Sequence, residues 1–105
     1  MEIYDLIANL FNALSHPLRV KIIESIGEKG ICVTELSKHI KEGQPQVSRA
    51  LSILKQQGLV MAKRVKKRTC YSVSDKKVIE LLNIVKLIIG EKSYKISKII
   101  KQGGE

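Results

Sequence analysis

The sequence contains no tryptophan, and aromatic residues make up only 4% of it. It therefore has little with which to build the stacking platforms that hold single-stranded nucleic acid or RNA bases. Two cysteines in 105 residues cannot form the multi-bridge framework of a small secreted domain. The opening MEIYDLIANL carries acids, with no basic stretch and no small-residue cleavage site, so a cytoplasmic location is expected. No apolar run reaches the ~20 residues that span a bilayer. The longest, from Val78 to Ile89, is interrupted by Glu80, Asn83 and Lys86, so no membrane partner is expected. Also missing are a glycine-rich phosphate loop, a carboxylate pair beside a histidine and a nucleophile motif. A protein that is not an enzyme and carries no cofactor is the expectation. Acids are scarce as well: 10 Asp and Glu stand against 19 Lys and Arg, a net charge of +9.

What is present is ordinary for a folded globule: 44% of the residues are hydrophobic, too many for a solvated tail. The length suits one small domain, residues 1–105. Such a domain buries only about two thirds of its unfolded surface, which makes a second copy a natural source of additional core. The positive charge is concentrated in the middle. Residues 1–37 hold three basic and five acidic side chains, whereas residues 38–77 hold eleven basic ones against Glu42 and Asp75. A cationic segment this lopsided favours a polyanion partner. Nucleic acid is favoured over a membrane surface, because the segment holds strand-like and turn-like pieces rather than one basic amphipathic helix.

Apolar residues at three- and four-residue steps (Ile3, Leu6, Ile7, Leu10, Phe11, Leu14) predict a first helix, closed by Ser15-His16-Pro17. Pro17 then opens a second helix to about Ile26, and Ile31-Cys32-Val33 reads as one short strand. Thr34 is placed to start a third helix carrying Leu36 and Ile40, with Gly43 as its breaker. A fourth helix follows from Gln44 to Gln57, with Gly43 at its N-cap, Pro45 in its first turn and Gly58 beyond its end. Two short helices joined by a glycine-containing turn form a helix-turn-helix candidate. On the fourth helix Val47, Ala50, Leu51 and Leu54 share one face, and Ser48, Arg49, Ser52 and Gln56 the other. Gln44 and Gln46 extend the polar face toward the N-terminus, the end that recognition helices point at base edges.

Leu59–Val65 and Thr69–Val73 flank Lys66-Lys67-Arg68 and predict a β-hairpin with a basic tip; no Asn-Gly or Asp-Gly specifies its turn type. The cations Lys63, Arg64, Lys66, Lys67 and Arg68 suit phosphate contact, or simply keep an edge ribbon soluble. The last helix, capped by Ser74 or Asp75, is apolar over most of its circumference, with only Glu80, Asn83 and Lys86 as a polar stripe. Such a helix needs cover on two sides, and the same helix of a second subunit is the simplest source. Gly90 is expected to end or bend it, with a lysine-rich terminal turn around Ile96, Ile99 and Ile100 beyond.

The predicted order is a mainly α fold with a small β-hairpin: a winged helix-turn-helix flanked by N- and C-terminal helices. Its pieces run Ala13-Leu14-Ser15-His16-Pro17-Leu18-Arg19-Val20-Lys21-Ile22-Ile23, Cys32-Val33-Thr34-Glu35-Leu36, Gln44 to Leu54, Gly58-Leu59-Val60 and Tyr71-Ser72-Val73. In that order and spacing they resemble the ArsR/SmtB family of dimeric bacterial and archaeal transcriptional repressors, over roughly residues 8–85. The resemblance implies a homodimer that sits on an inverted repeat in double-stranded promoter DNA and releases it on sensing a metal, metalloid or oxidant. It implies dimerisation through helices at 1–14 and 76–100, with Leu6, Leu10, Leu81, Leu82, Val85, Ile88 and Ile89 at the interface. Gln44, Gln46, Ser48, Arg49 and Ser52 fall at the base-reading surface, and Thr34, Lys38, Lys63, Arg64, Lys66, Lys67 and Arg68 at the phosphate-contacting one. Arg49 stands where the family commonly has histidine, and arginine suits the O6 and N7 of guanine.

The sensor departs from the family pattern. Where metal-binding relatives enter the third helix with Cys-x-Cys, this chain has Cys32 and then Thr34, and no histidine follows His39. No metal site is therefore expected; His16 and His39 read as structural or phosphate-contacting residues. In a winged helix the strand at 31–33 pairs with the strand at 69–73. Alternation then points Ile31 and Val33 inward with Tyr71 and Val73, and sets Cys32 and Cys70 together on the other face as a candidate redox pair. The competing function is a winged-helix module that coats DNA without sequence preference or binds other proteins.

Overall fold

A computed structural model describes residues 2–92. The chain folds as α1 (Ile3–Ala13), α2 (Pro17–Ile26), β1 (Ile31–Cys32), α3 (Val33–Ile40), α4 (Gln44–Gln56), β2 (Val60–Val65), β3 (Arg68–Val73) and α5 (Lys76–Lys92). This is the winged helix-turn-helix order. The three strands form one antiparallel sheet in the order β1-β3-β2. Ile22, Ile23, Leu36, Val47, Leu51 and Leu54 are wholly buried and tie α2, α3 and α4 into one apolar core. Val60, Val73, Val78 and Leu82 extend that core under the sheet and α5. No polar or charged residue is buried among the described residues, so the helices are held by apolar packing.

Local chemistry explains most boundaries. Pro17 sits in the first turn of α2, where its missing N–H costs nothing. The Arg19 side chain reaches back and donates to the Ala13 and Asn12 carbonyls at 2.6 and 3.2 Å, satisfying the end of α1. Asp75 Oδ1 accepts from the Lys77 N–H at 2.9 Å and so caps α5, while the Ser74 hydroxyl donates to the Gly58 carbonyl instead.

Four expectations are corrected. Val33 is the first residue of α3 and not the end of the strand: Cys32 is the cap, in an extended conformation, so α3 starts before Thr34. Helix α3 ends at Ile40 because Lys41 turns left-handed (φ 65°) and sends its N–H to the Ser37 carbonyl, leaving Gly43 to cap α4. The hairpin loop is the two residues Lys66 and Lys67, with Arg68 already paired to Val65 in the ladder. Gly90 does not end the helix; α5 continues through it to Lys92, since one glycine costs a helix only about 1 kcal/mol. The terminal turn expected around Ile96, Ile99 and Ile100 lies outside the described residues.

Candidate nucleic-acid interface

Helix α4 presents the polar face that its sequence spacing requires. Val47, Ala50, Leu51 and Leu54 are buried, and Gln44, Gln46, Ser48, Arg49 and Ser52 are exposed. Ile53, at the border of the two faces, is half-buried and packs against the core. Thr34 and Lys38 on α3 are also exposed. A three-residue turn, Lys41–Gly43, separates the two helices. The Gln46 side chain folds back over Gly43, where a Cβ would meet its Oε1 at 2.3 Å, so the turn leaves room for that glutamine.

The end of α4 places the wing. Gly58 takes φ +73° and donates to the Lys55 carbonyl at 2.9 Å, and Leu59 donates to the Leu54 carbonyl at 3.0 Å. This is the paired bond pattern of a Schellman motif, completed by apolar contact between its third-last and following residues, here the buried Leu54 and Leu59. The chain therefore leaves α4 in a defined direction and enters β2 after the three residues Gln57, Gly58 and Leu59. At the other end of the hairpin, the Val73 N–H donates to the Gly27 carbonyl at 2.9 Å, and Ser74 donates to Leu59 at 3.1 Å. The root of the wing is thus bonded to both α2 and the exit of α4.

The tip is cationic and tightly turned. Lys66 (φ 50°) and Lys67 (φ 69°) both adopt left-handed backbone, the combination of a type I′ hairpin turn. Lys63, Arg64, Lys66, Lys67 and Arg68 are all exposed. Arg64 Nη1 donates to Thr69 Oγ1 at 3.3 Å, and Arg68 lies 3.6 Å from Glu35 at the start of α3. Sequence spacing offered His16 as a structural or phosphate-contacting residue but not its neighbours: it lines one shallow depression with Gln46 and Arg49, brought there because α2 packs across α4. His39 lies instead with Lys21, Glu24 and Ser25.

The cysteines occupy neighbouring strands. Cys32 is paired directly with Cys70 in the β1–β3 ladder, and Cys70 with Lys63 in the β2–β3 ladder. Ile31, Tyr71 and Ala62 form the alternate row toward the core; Val33, expected in that row, is helical. Both thiols are free and half-buried, with their sulfurs 2.7 Å apart. The hydrogen bond with Cys32 holds the Cys70 thiol above the usual thiol range, helped by burial and the Cys32 and Glu35 charges and opposed by Arg68. Among the described residues no three His, Cys, Asp or Glu side chains are grouped to hold a metal ion.

Of the seven residues expected at a dimer interface, Leu6, Ile88 and Ile89 are exposed, and Leu10, Leu81 and Val85 are half-buried. Leu82 is only 6% exposed and belongs to the subunit's own core. Ile3, Ile7, Phe11, Ile84 and Leu87 are exposed apolar residues on the same two helices. Between α1 and α5 lies a cleft of about 360 Å³ lined by Phe11, Leu14, Val20, Leu81, Leu82, Val85 and Ile89, with Lys86 at its edge. No helix among the described residues is long and apolar enough to cross a membrane.

Known proteins are similar to this chain in sequence or in fold. An HTH-type transcriptional regulator of Methanocaldococcus jannaschii, itself uncharacterised, is 34% identical over 86 residues, covering 81% of this chain and 97% of the relative. The biofilm growth-associated repressor of Xylella fastidiosa is 35% identical over 77 residues, 73% of this chain and 68% of that protein. A homodimeric winged helix-turn-helix DNA-binding domain from Mycobacterium bovis superimposes with a TM-score of 0.78 at 25% identity, over 85% of this chain and 82% of that one. Residues 16–62, from the cap of α2 into β2, match the model of the bacterial regulatory proteins of the arsR family. With this match across the whole helix-turn-helix, and near-complete coverage of the M. jannaschii relative, the chain belongs to the arsR family of regulatory proteins.

Proposed function

We propose that the protein is a homodimeric transcriptional repressor that binds an inverted repeat in double-stranded DNA and is not an enzyme. The observation that carries this reading is the pairing of an exposed polar face on α4 with a cationic hairpin whose root is bonded to the end of that helix. Gln44, Gln46, Ser48, Arg49 and Ser52 read base edges in the major groove. Thr34 and Lys38, with Lys63, Arg64, Lys66, Lys67 and Arg68 of the wing, contact phosphates and fix the register. His16, beside Gln46 and Arg49, joins the phosphate contacts.

Residues 1–105 act as one domain, with helices at 1–14 and 76–100 as the dimerisation elements; residues 93–100 of the second lie outside the described residues. The exposed apolar faces of α1 and α5, rather than Leu82, meet the partner. A two-fold dimer must present its recognition helices about 34 Å apart to enter successive major grooves. The homodimeric M. bovis neighbour and the repressor of X. fastidiosa support assembly and sign of regulation by similarity.

A duplex selected by the protein from a random-sequence pool, compared with an unselected duplex across a salt titration, tests the reading. A specific repressor binds the selected duplex about 10³-fold or more tighter at physiological salt. A coating protein shows one affinity and one salt slope for both, and that result would overturn specific recognition.

A further inference from the structure

The Cys32–Cys70 pair lies outside the recognition surface yet joins its two halves. Cys32 caps α3, the first helix of the helix-turn-helix, and Cys70 sits mid-strand in β3, which carries the wing. Directly opposed residues of antiparallel strands have Cα atoms about 4.5–5.5 Å apart, inside the range a disulfide bridges without backbone movement. The two sulfurs already face each other at 2.7 Å. They open into a cleft of about 310 Å³ with Lys29 and Lys63 at its walls. The one carboxylate there, Glu35, is countered by Arg68 at 3.6 Å, so the cleft is cationic on balance. A dithiol lining a cationic cleft is arranged to receive a small anion that reacts with sulfur.

We propose that Cys32 and Cys70 form a thiol–disulfide exchange site for anionic low-molecular-weight disulfides, and that closing the bond changes how the wing is held against the helix-turn-helix. The regulatory half of this inference rests on the DNA-binding reading above; the chemical half does not. One protein sulfur, having lost its proton to solvent, attacks the disulfide RSSR. An S–S bond to the protein forms as that of RSSR breaks, and RS⁻ leaves and takes up a proton. The second protein sulfur, also deprotonated, then attacks the first protein sulfur, forming Cys32–S–S–Cys70 and expelling the other RS⁻. The balance is two protein thiols plus RSSR to one protein disulfide plus two RSH: the protein is oxidised by two electrons and RSSR is reduced by two. The product covalently links the two-residue strand β1, and with it the start of α3, to the strand bearing Arg68.

The test uses the full reduced chain with oxidised glutathione, followed by intact mass and peptide mapping. The expected product has lost two hydrogens and contains a Cys32–Cys70 linked peptide, whereas Cys32→Ser and Cys70→Ser each stop at one glutathione adduct. A persistent adduct on the wild-type chain, a disulfide between two chains, or unreacted thiols would overturn the site. At low salt 3,3′-dithiodipropionate should react about tenfold faster than cystamine. Lys29→Gln should shrink that ratio, while equal rates in the wild-type chain would refute a cationic cleft that selects its oxidant. Finally, the oxidised and reduced forms should differ at least about fivefold in affinity for the selected duplex, with no difference in Cys32→Ser. Equal affinities would overturn the regulatory half. Because cross-linking is read without DNA, failure of the exchange site leaves duplex binding intact, and failure of duplex binding leaves the cross-link intact.

Discussion

At the scale of single residues, Arg49 and Lys67 separate reading from holding. Both are exposed cations, but Arg49 lies on α4 and Lys67 in the hairpin turn. Arg49→Ala should cost about 1–3 kcal/mol on the selected duplex and relax selectivity at one base pair, whereas Lys67→Ala should weaken every duplex alike and lower the salt slope by about one unit. Binding isotherms on matched and randomised duplexes decide; equal losses on both from Arg49→Ala would exclude base reading. Cys70 gives a pH signature of a different kind. Its folded thiol gives up its proton at higher pH than an ordinary one because Cys32 holds it by a hydrogen bond. As pH rises past the usual thiol range the unfolded chain loses that proton first, so stability present at neutral pH is lost through the folded pKa. Under reductant, denaturation midpoints should therefore fall on the alkaline side, and Cys70→Ser should flatten that fall.

At the scale of elements, the wing's turn conflicts with its own sequence. Two lysines occupy a type I′ turn that favours Asn-Gly, because both backbones must be left-handed. Replacing Lys66-Lys67 by Asn-Gly should stabilise the fold by about 1 kcal/mol, a rise of roughly 4–8 °C in Tm for a domain of this size. The same change should weaken binding to all duplexes and reduce the salt slope by about two units. Calorimetry and a salt titration on one variant would reveal this opposition; a falling Tm would show that the lysines are not strained there. The conflict also explains why the turn was not legible beforehand. The cations at 63–68 signalled a basic tip, but no local residue specified where the chain reverses, and Arg68 was drawn into the ladder by its pairing with Val65. Helix α4 was the opposite case: its buried and exposed sets follow from a 100° step per residue, and its exit from one glycine.

At the scale of the whole molecule, α5 divides its apolar residues between the subunit and whatever covers it. Val78 and Leu82 are buried at home, whereas Ile84, Leu87, Ile88 and Ile89 are 47–66% exposed. Leu82→Ala should therefore destabilise the fold itself by about 2–5 kcal/mol. Ile88→Glu should leave the subunit folded but shift it to a monomer at micromolar concentration, with loss of affinity for an inverted repeat. Sedimentation and thermal unfolding of the two variants together check the division. A wild-type monomer in the same sedimentation run would refute the dimer.

The sequence by itself determined the helix periodicities, the basic middle segment, the polar face of α4 and the hairpin, since each depends on residues a few positions apart. Alternation also put Cys32 and Cys70 on one face once the strands at 31 and 69–73 were paired, but a two-residue slip would have kept that face and separated the sulfurs, so only the ladder register sets them directly opposite. Tertiary structure alone decided that Leu82 turns inward, that His16 joins Gln46 and Arg49, and that Lys29 and Lys63 flank the sulfurs. Those outcomes depend on which helix crosses which and at what angle. Crossing is set by the summed packing of Ile22, Ile23, Leu36, Leu51 and Leu54, a property of the assembled core that no local stretch of sequence encodes.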